Sequence, residues 1–422
     1  MSPQIRVVAL MVTASVIVYM DRTAISLAAP EMIRHIGISE TAMGGVFSAF
    51  YLAYTLFMIP GGWLSDRFGP RNTLGAGLFA AGVFTALTAV AGFKTLISLG
   101  AAYGFLIAVR LAFGAAAAPL YPGCARLTAN WFPPATTARV QAAIFGVTIF
   151  GSALLPLPLT PLMRDLGWQS AFLILGIVTA VIAGVWHLLA NDSRTEAHST
   201  FARVRETQSM SAARSVLLSR NVVFLAVSYG AFSYFVYLFE SWTFYYYREV
   251  RQFGATASAS YMSAMLLAGA LTMPLGGWVS DRLTLRFGYS IGRRAVPIFG
   301  VIVSVALCAI GAASLPPFAT AVALALSYGF LVSGDPVYWA FIIETTREKS
   351  GTACGMLNTG GNVGGILAPI VSPWIAGMFG WNIAFYVGAL IACLGILPWL
   401  FIRAASTDAR MSGPAHTMDT TV

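Results

Sequence analysis

Charge is what this chain has least of. Only 10% of its 422 residues are Asp, Glu, Lys or Arg, and the lysines are Lys94 and Lys349 alone. Soluble domains carry about a quarter of charged residues, so a water-dissolved protein of this length is excluded. Cysteine is scarce too: Cys124, Cys308, Cys354 and Cys393 stand in or beside apolar runs without metal-ligand spacing. They read as small packing residues rather than as a disulfide or metal framework. The sequence has no His/Asp/Glu metal cluster, no nucleophile constellation and no phosphate-cradling glycine loop. An enzyme, a bound cofactor or metal and a nucleotide-driven pump are therefore not expected. No cleavable leader is apparent either. The first apolar run lacks a small-residue cleavage site and carries Asp21 and Arg22, so it is expected to span.

What the chain has instead is apolar length, with 58% hydrophobic residues. Runs of about 20 residues are long enough to cross a bilayer. Reading them against loop signals predicts spans near 5–28, 41–64, 73–92, 98–124, 138–161 and 168–189. Six more follow near 221–246, 257–279, 294–313, 317–343, 351–375 and 381–402, and helix four is long for one straight span. The expected fold is an all-α membrane protein of about twelve spanning helices in two six-helix bundles. The expected division is 1–190 and 221–404, joined by a polar, Arg-rich linker at 191–220 and followed by a tail at 405–422. The net charge of +9 is spread between the apolar runs rather than along one face, so no nucleic-acid partner is expected. The side holding the termini and linker carries 18 of the 25 basic residues, and the opposite side five, with Arg22 and Arg110 inside spans. The positive-inside rule then places both termini in the cytoplasm.

The halves repeat. Gly61-Gly62-Trp63-Leu64-Ser65-Asp66-Arg67 returns as Gly276-Gly277-Trp278-Val279-Ser280-Asp281-Arg282, an offset of 215. Gly167-Trp168-Gln169-Ser170-Ala171-Phe172 returns as Gly380-Trp381-Asn382-Ile383-Ala384-Phe385, an offset of 213. Equivalent positions in two six-helix units imply parallel repeats about an axis along the membrane normal, an arrangement suited to alternating access.

Gly62-x3-Asp66-Arg67-Phe68-Gly69-Pro70-Arg71 resembles the loop signature of the major facilitator superfamily, and the resemblance covers essentially the whole chain. A polar turn is one reading of this motif. The other is a conformational latch in which Gly62 permits close helix approach, Asp66 caps a helix N-terminus, and Arg67 and Arg71 pair across the inner face. Asp281 and Arg282 are its second copy. Such a latch would hold the outward-open state.

Charged side chains within spans are expensive and mark function by default. Five qualify: Asp21 and Arg22 in helix one, Arg110 in helix four, Glu240 in helix seven and Asp335 in helix ten. Helices one, four, seven and ten line the cavity in the superfamily this chain resembles. Helical spacing adds Tyr19 beside Arg22, Tyr237 beside Glu240, and the pair Asn358 and Asn362 in helix eleven. Trp242 and Trp339 are further candidates to stack on a substrate or bond to it. Arg22 and Arg110 can bind a carboxylate or phosphate with a planar fork, or each can merely neutralise a neighbouring acid. Asp21 is a candidate proton carrier, since burial opposes its charge while an adjacent arginine favours it. For Glu240 and Asp335, coupling and structural pairing both stand.

Tyr19-Met20-Asp21-Arg22, Arg110-x3-Gly114-x7-Pro122-Gly123, Trp131-Phe132-Pro133 and Asn358-x2-Gly361-Asn362-x-Gly364-Gly365 resemble, more narrowly, the anion:cation symporters. These include bacterial galactonate, glucarate, hexuronate and phthalate transporters and the animal sialic-acid exporter. The resemblance implies symport of a small organic anion, a sugar acid or aromatic acid, with protons. It also implies a monomer in the plasma membrane, the inner membrane of a bacterium. Asp21 resembles the proton-binding aspartate, and Tyr54 and Asn362 resemble substrate contacts. One position departs: the glutamate expected seven residues after Arg110 is Ala117, in a run of alanines. The resemblance gives that glutamate a part in proton coupling, and Glu240 is a candidate to take over the role. The alternative is an exchanger of organic phosphates or other anions without obligatory proton coupling.

Overall fold

A chain in hydrocarbon finds no water for its peptide groups, so each apolar run must satisfy its backbone internally as a helix. A computed structural model describes residues 3–93, 97–132, 134–192, 219–313, 315–346 and 350–402, and among these the fold is helical with no strand. The first half comprises α1 (Pro3–Ile36), α2 (Glu40–Phe68), α3 (Pro70–Thr88), α4 (Leu99–Ala117), α5 (Leu120–Trp131), α6 (Pro134–Leu154) and α7 (Pro156–Leu189). The second comprises α8 (Arg220–Tyr245), α9 (Ala255–Phe287), α10 (Tyr289–Ala312), α11 (Pro317–Val332), α12 (Asp335–Thr346), α13 (Ser350–Phe379), α14 (Trp381–Leu394) and α15 (Leu397–Phe401). Of the expected linker, only 191, 192, 219 and 220 are described, and the tail at 405–422 lies outside the described residues.

Among the described residues, eleven stretches are long and apolar enough to cross a membrane. The longest, Gly146–Leu189, has 44 residues. At 1.5 Å per residue it would be about twice as long as a bilayer core is thick. Gly167 interrupts it at φ 79°, ψ 156°, a conformation open only to glycine, so the stretch folds back as two crossings. Gly380, its partner in the repeat, adopts φ 86°, ψ 158°. Counting that division, the described helices make twelve crossings. The face where α1 begins and α15 ends is called terminal below, and the opposite face distal.

Several helices outrun the expected spans, because polar turns beyond the hydrocarbon continue until a glycine stops them. The α1 helix runs to Ile36, ahead of Gly37 at φ 77°, and α2 runs to Phe68, ahead of Gly69 at φ 82°. Helix four is not one straight rod but α4 and α5, divided at Ala118 and Pro119, and helix ten is likewise α11 and α12, divided at Ser333 and Gly334.

Packing repeats with the sequence. In the first half α2 lies on α4, α3 on α4 and α7, and α1 on α6. Their counterparts match: α9 on α11, α10 on α11 and α14, and α8 on α13. The motif glycines serve these contacts. A Cβ on Gly61 would stand 2.9 Å from Pro119, and one on Gly276 would stand 2.0 Å from the Ser333 carbonyl oxygen. Close approach therefore belongs to Gly61 rather than to Gly62, whose Cβ would meet Pro122 at an ordinary 3.5 Å. The halves meet where α2 packs on α13, α1 on α8, and α9 on α6 and α7.

Candidate functional site

Arg22 sits in an aromatic cage between the halves. Its guanidinium carbon lies 4.9 Å from the ring centroid of Tyr19, 5.0 Å from Tyr51, and 5.5 Å from both Phe50 and Tyr237. Nη2 donates to the Tyr51 hydroxyl at 3.2 Å and to Glu240 Oε2 at 3.4 Å. Tyr328 donates to the other oxygen of Glu240 at 3.0 Å. Tyr51 and Tyr237 face each other across the halves, with centroids 4.6 Å apart. Gly365 of α13 makes room for them, since a Cβ there would come within 2.9 Å of Tyr237 and 3.0 Å of Tyr51.

Arg110 shares this neighbourhood through Phe50. Its guanidinium lies 5.1 Å from that ring and 4.9 Å from Phe113. The residue is 3% exposed, its Nε is buried without a partner, and among the described residues it makes no ion pair or hydrogen bond. Ring faces attract a cation, but they return only part of the cost of drying a guanidinium. Gly114, one turn on, brings α4 against α2: its Cβ would be 2.5 Å from the Phe50 carbonyl oxygen. Tyr54 stacks on the same Phe50 at 5.5 Å.

The acids part company. Asp21 is fully buried and accepts from Thr179 Oγ1 at 2.9 Å, with its other oxygen unpartnered. It faces α7 inside the first half, although it precedes Arg22 in sequence. Glu240 faces Arg22. Asp335 opens α12 and accepts from the Tyr229 hydroxyl at 2.8 Å, and Trp339 Nε1 donates to that hydroxyl at 3.2 Å. Ala117 lies among Val18, Leu74, Leu78 and Leu120, an apolar surrounding that holds no acid.

The remaining candidates divide as well. Asn362 is buried in α13, and Asn358 Nδ2 donates to Met58 Sδ at 3.0 Å, joining the halves. Trp242 is not at the cavity. It is fully buried, and its Nε1 donates to the Pro369 carbonyl at 3.1 Å. That carbonyl is free because residue 373, its normal helical partner, is proline. The motif residues bond within their own halves: Asp66 to Arg126 at 3.6 Å, Arg71 to the His187 carbonyl and Asp192 at 2.6 Å, and Asp281 to Arg293 at 2.6 Å. Arg67 and Arg282 lie over Trp63 and Trp278. Pairing of Arg67 or Arg71 across the inner face is not formed among the described residues.

Sequence reading did not single out Phe50, Tyr51, Phe113, Tyr229, Tyr328 or the role of Gly365. A signal existed for some: Phe50-Tyr51-x2-Tyr54 is a dense aromatic cluster in one span, and Tyr328 precedes Asp335 by two helical turns.

The chain matches the model of the Major Facilitator Superfamily over residues 11–334 and 286–416. It is 30% identical over 406 residues to a probable sulfoacetate transporter of Cupriavidus necator, covering 93% of this chain and 92% of that one. A probable galactarate/D-glucarate transporter of Bacillus subtilis is 28% identical over 408 residues, covering 91% and 88%. A hexuronate transporter of the same species is 26% identical over 380 residues, covering 87% and 86%. Among solved structures, a bacterial homologue of the human lysosomal transporter Spinster, inward-facing and occupied, superposes with a TM-score of 0.74 at 13% identity, covering 94% and 96%. A D-xylose–proton symporter superposes with a TM-score of 0.72 at 15% identity, covering 95% and 98%.

Proposed function

Because the chain belongs to the Major Facilitator Superfamily, we propose that it carries a small organic anion, a carboxylate or sulfonate, across the membrane by alternating access. It is a transporter and not an enzyme. Arg110 is the observation that carries the anion reading: a cation at bilayer depth, dried, with no ion pair or hydrogen bond among the described residues and with Asp21 only within range of its charge. An anion that supplies the missing charge stabilises the site. Arg22 provides a second fork against the same Phe50 ring. Tyr19, Tyr54, Tyr237, Trp339, Asn358 and Asn362 are the side chains to meet the rest of the substrate. Asp21, Glu240 and Asp335 are the acids available to carry a proton. Relatives named for sugar acids and for a sulfonate favour these anions over phosphates.

The working orientation puts both termini in the cytoplasm of a bacterial inner membrane, with a monomer as the transporting unit. The terminal face is then the inner one, and the arrangement described is inward-facing. Gly62, Asp66, Arg67, Arg71, Asp281 and Arg282 would meet across the halves only in the opposite state.

The test is uptake into proteoliposomes of sulfoacetate, D-glucarate, D-glucuronate and a sugar phosphate, with and without a proton gradient. A carboxylate or sulfonate is expected to enter, faster with acid outside. Removing one partner of a desolvated charge contact costs about 2–5 kcal/mol, so Arg110→Ala should lower uptake by about a hundredfold or more. Wild-type uptake of every anion by Arg110→Ala would refute the reading.

A further inference from the structure

We propose that Glu240 is the built-in anion of the substrate site: its carboxylate holds Arg22 until the substrate's acid group displaces it, and it leaves by taking up a proton. The proposal rests on the anion-site reading above and adds the means of coupling.

The pair is built to be exchanged. Arg22 and Glu240 sit on opposite halves, and their side chains are 14% and 31% exposed, so solvent and ligand reach both. Their separation of 3.4 Å is long for a charged hydrogen bond. Among the described residues both hydrogen bonds of Arg22 leave from Nη2, so the rest of its fork stays available to a ligand. Asp21 offers a contrast, being fully buried and held by Thr179 of its own half.

The groups around Glu240 come from five helices. Arg22 faces it from α1, Tyr51 from α2, Tyr237 from its own helix and Tyr328 from α11, while Asp335 at the start of α12 lies within range of its charge. Arg22 is the one cation of this set. Once a substrate anion takes Arg22, the Glu240 carboxylate faces that anion and Asp335 with no positive partner of its own. A proton from the solution in the cavity then bonds to a Glu240 oxygen, and the Tyr328 hydroxyl turns from donor to acceptor. One anion and one proton have entered, no other bond has changed, and the charge of the site is conserved.

The test uses purified full-length protein in detergent with sulfoacetate and D-glucarate as probes, reading affinity from pH 6 to pH 9 and proton uptake with an indicator dye in weak buffer. Anion binding should take up about one proton, so affinity should be higher at acid pH, with Kd rising about tenfold per unit on the alkaline side. In Glu240→Gln the slope and the uptake should vanish, and at pH 8 the probe should bind about tenfold more tightly because its competitor is gone. Glu240→Asp should restore the slope, which separates lost chemistry from lost structure. Asp21→Asn and Asp335→Asn should retain it. A slope that persists in Glu240→Gln, or that disappears in Asp21→Asn or Asp335→Asn instead, overturns the proposal. Arg110→Ala separates the two readings. If it binds like wild type, or if wild type binds neither probe, the anion reading falls and this proposal with it. If Arg110→Ala abolishes binding while Glu240→Gln keeps the slope, only this proposal falls.

Discussion

On the distal face, Glu40, Gly44 and Ser48 of the first half meet Tyr245, Pro369 and Ile366 of the second. On the terminal face, Asp66 and Asp281 turn to Arg126 and Arg293 of their own halves. The distal seam is dense. Tyr245 donates to Glu40 at 2.5 Å, Ser48 donates to the Ile366 carbonyl at 2.6 Å, and Arg34 pairs with Glu249 at 3.6 Å. A Cβ on Gly44 would stand 2.0 Å from the Pro369 carbonyl oxygen. Toward the terminal face, the bond from Asn358 to Met58 is the last to join the halves among the described residues. Among the described residues one seam is bonded and the other is not, the arrangement expected of one state of the proposed alternating-access cycle. Among the described residues, most hydrogen bonds and ion pairs that join the halves outside the central site lie on the distal side.

Three substitutions test that asymmetry, the largest effect first. Gly44→Ala drives a methyl to 2.0 Å from a backbone oxygen that no side-chain rotation relieves, so its cost lies at or above the top of the range of about 1–3 kcal/mol typical of overpacking. The distal seam should open, seen as a longer distance between spin labels at Ile38 and Gln252, with uptake at least tenfold lower. An unchanged distance would mean that Gly44 does not set the closure. Tyr245→Phe removes a charge-assisted hydrogen bond worth about 1.5–3 kcal/mol. It should shift the same distance distribution part of the way, with thermal stability of the separate halves preserved. Arg34→Gln breaks an ion pair whose arginine is 58% exposed, and such pairs are worth about 1 kcal/mol or less. Its effect should be under fivefold and should fade in high salt. An effect larger than that of Gly44→Ala would reverse the order and place closure in the rim charges.

Much of the site was legible because lipid makes charge conspicuous. Arg22, Arg110, Glu240 and Asp335 stand out as ionisable side chains in apolar runs, and helical periodicity put Tyr19 and Tyr237 beside them. Tyr51 and Tyr328 escaped notice because an aromatic residue in a span is ordinary, and only their partners across the cavity distinguish them. Asp21 shows the limit of adjacency in sequence. It neighbours Arg22 in the chain, yet successive helical residues point about 100° apart, and the two face different places.

The sequence by itself determined the helices, their number once Gly167 is recognised as a divider, the repeat, and the list of costly charges. These follow from local rules: apolar length, glycine conformation and the price of ionisation in hydrocarbon. Tertiary structure alone decided which charges meet. The contact of Arg22 with Glu240 joins residues 218 positions apart, and the room for Tyr51 and Tyr237 depends on a missing Cβ at Gly365 of a third helix. Which face is shut was likewise beyond sequence, because both states of a transporter are written in one chain, and they differ in how two preformed halves lean on each other.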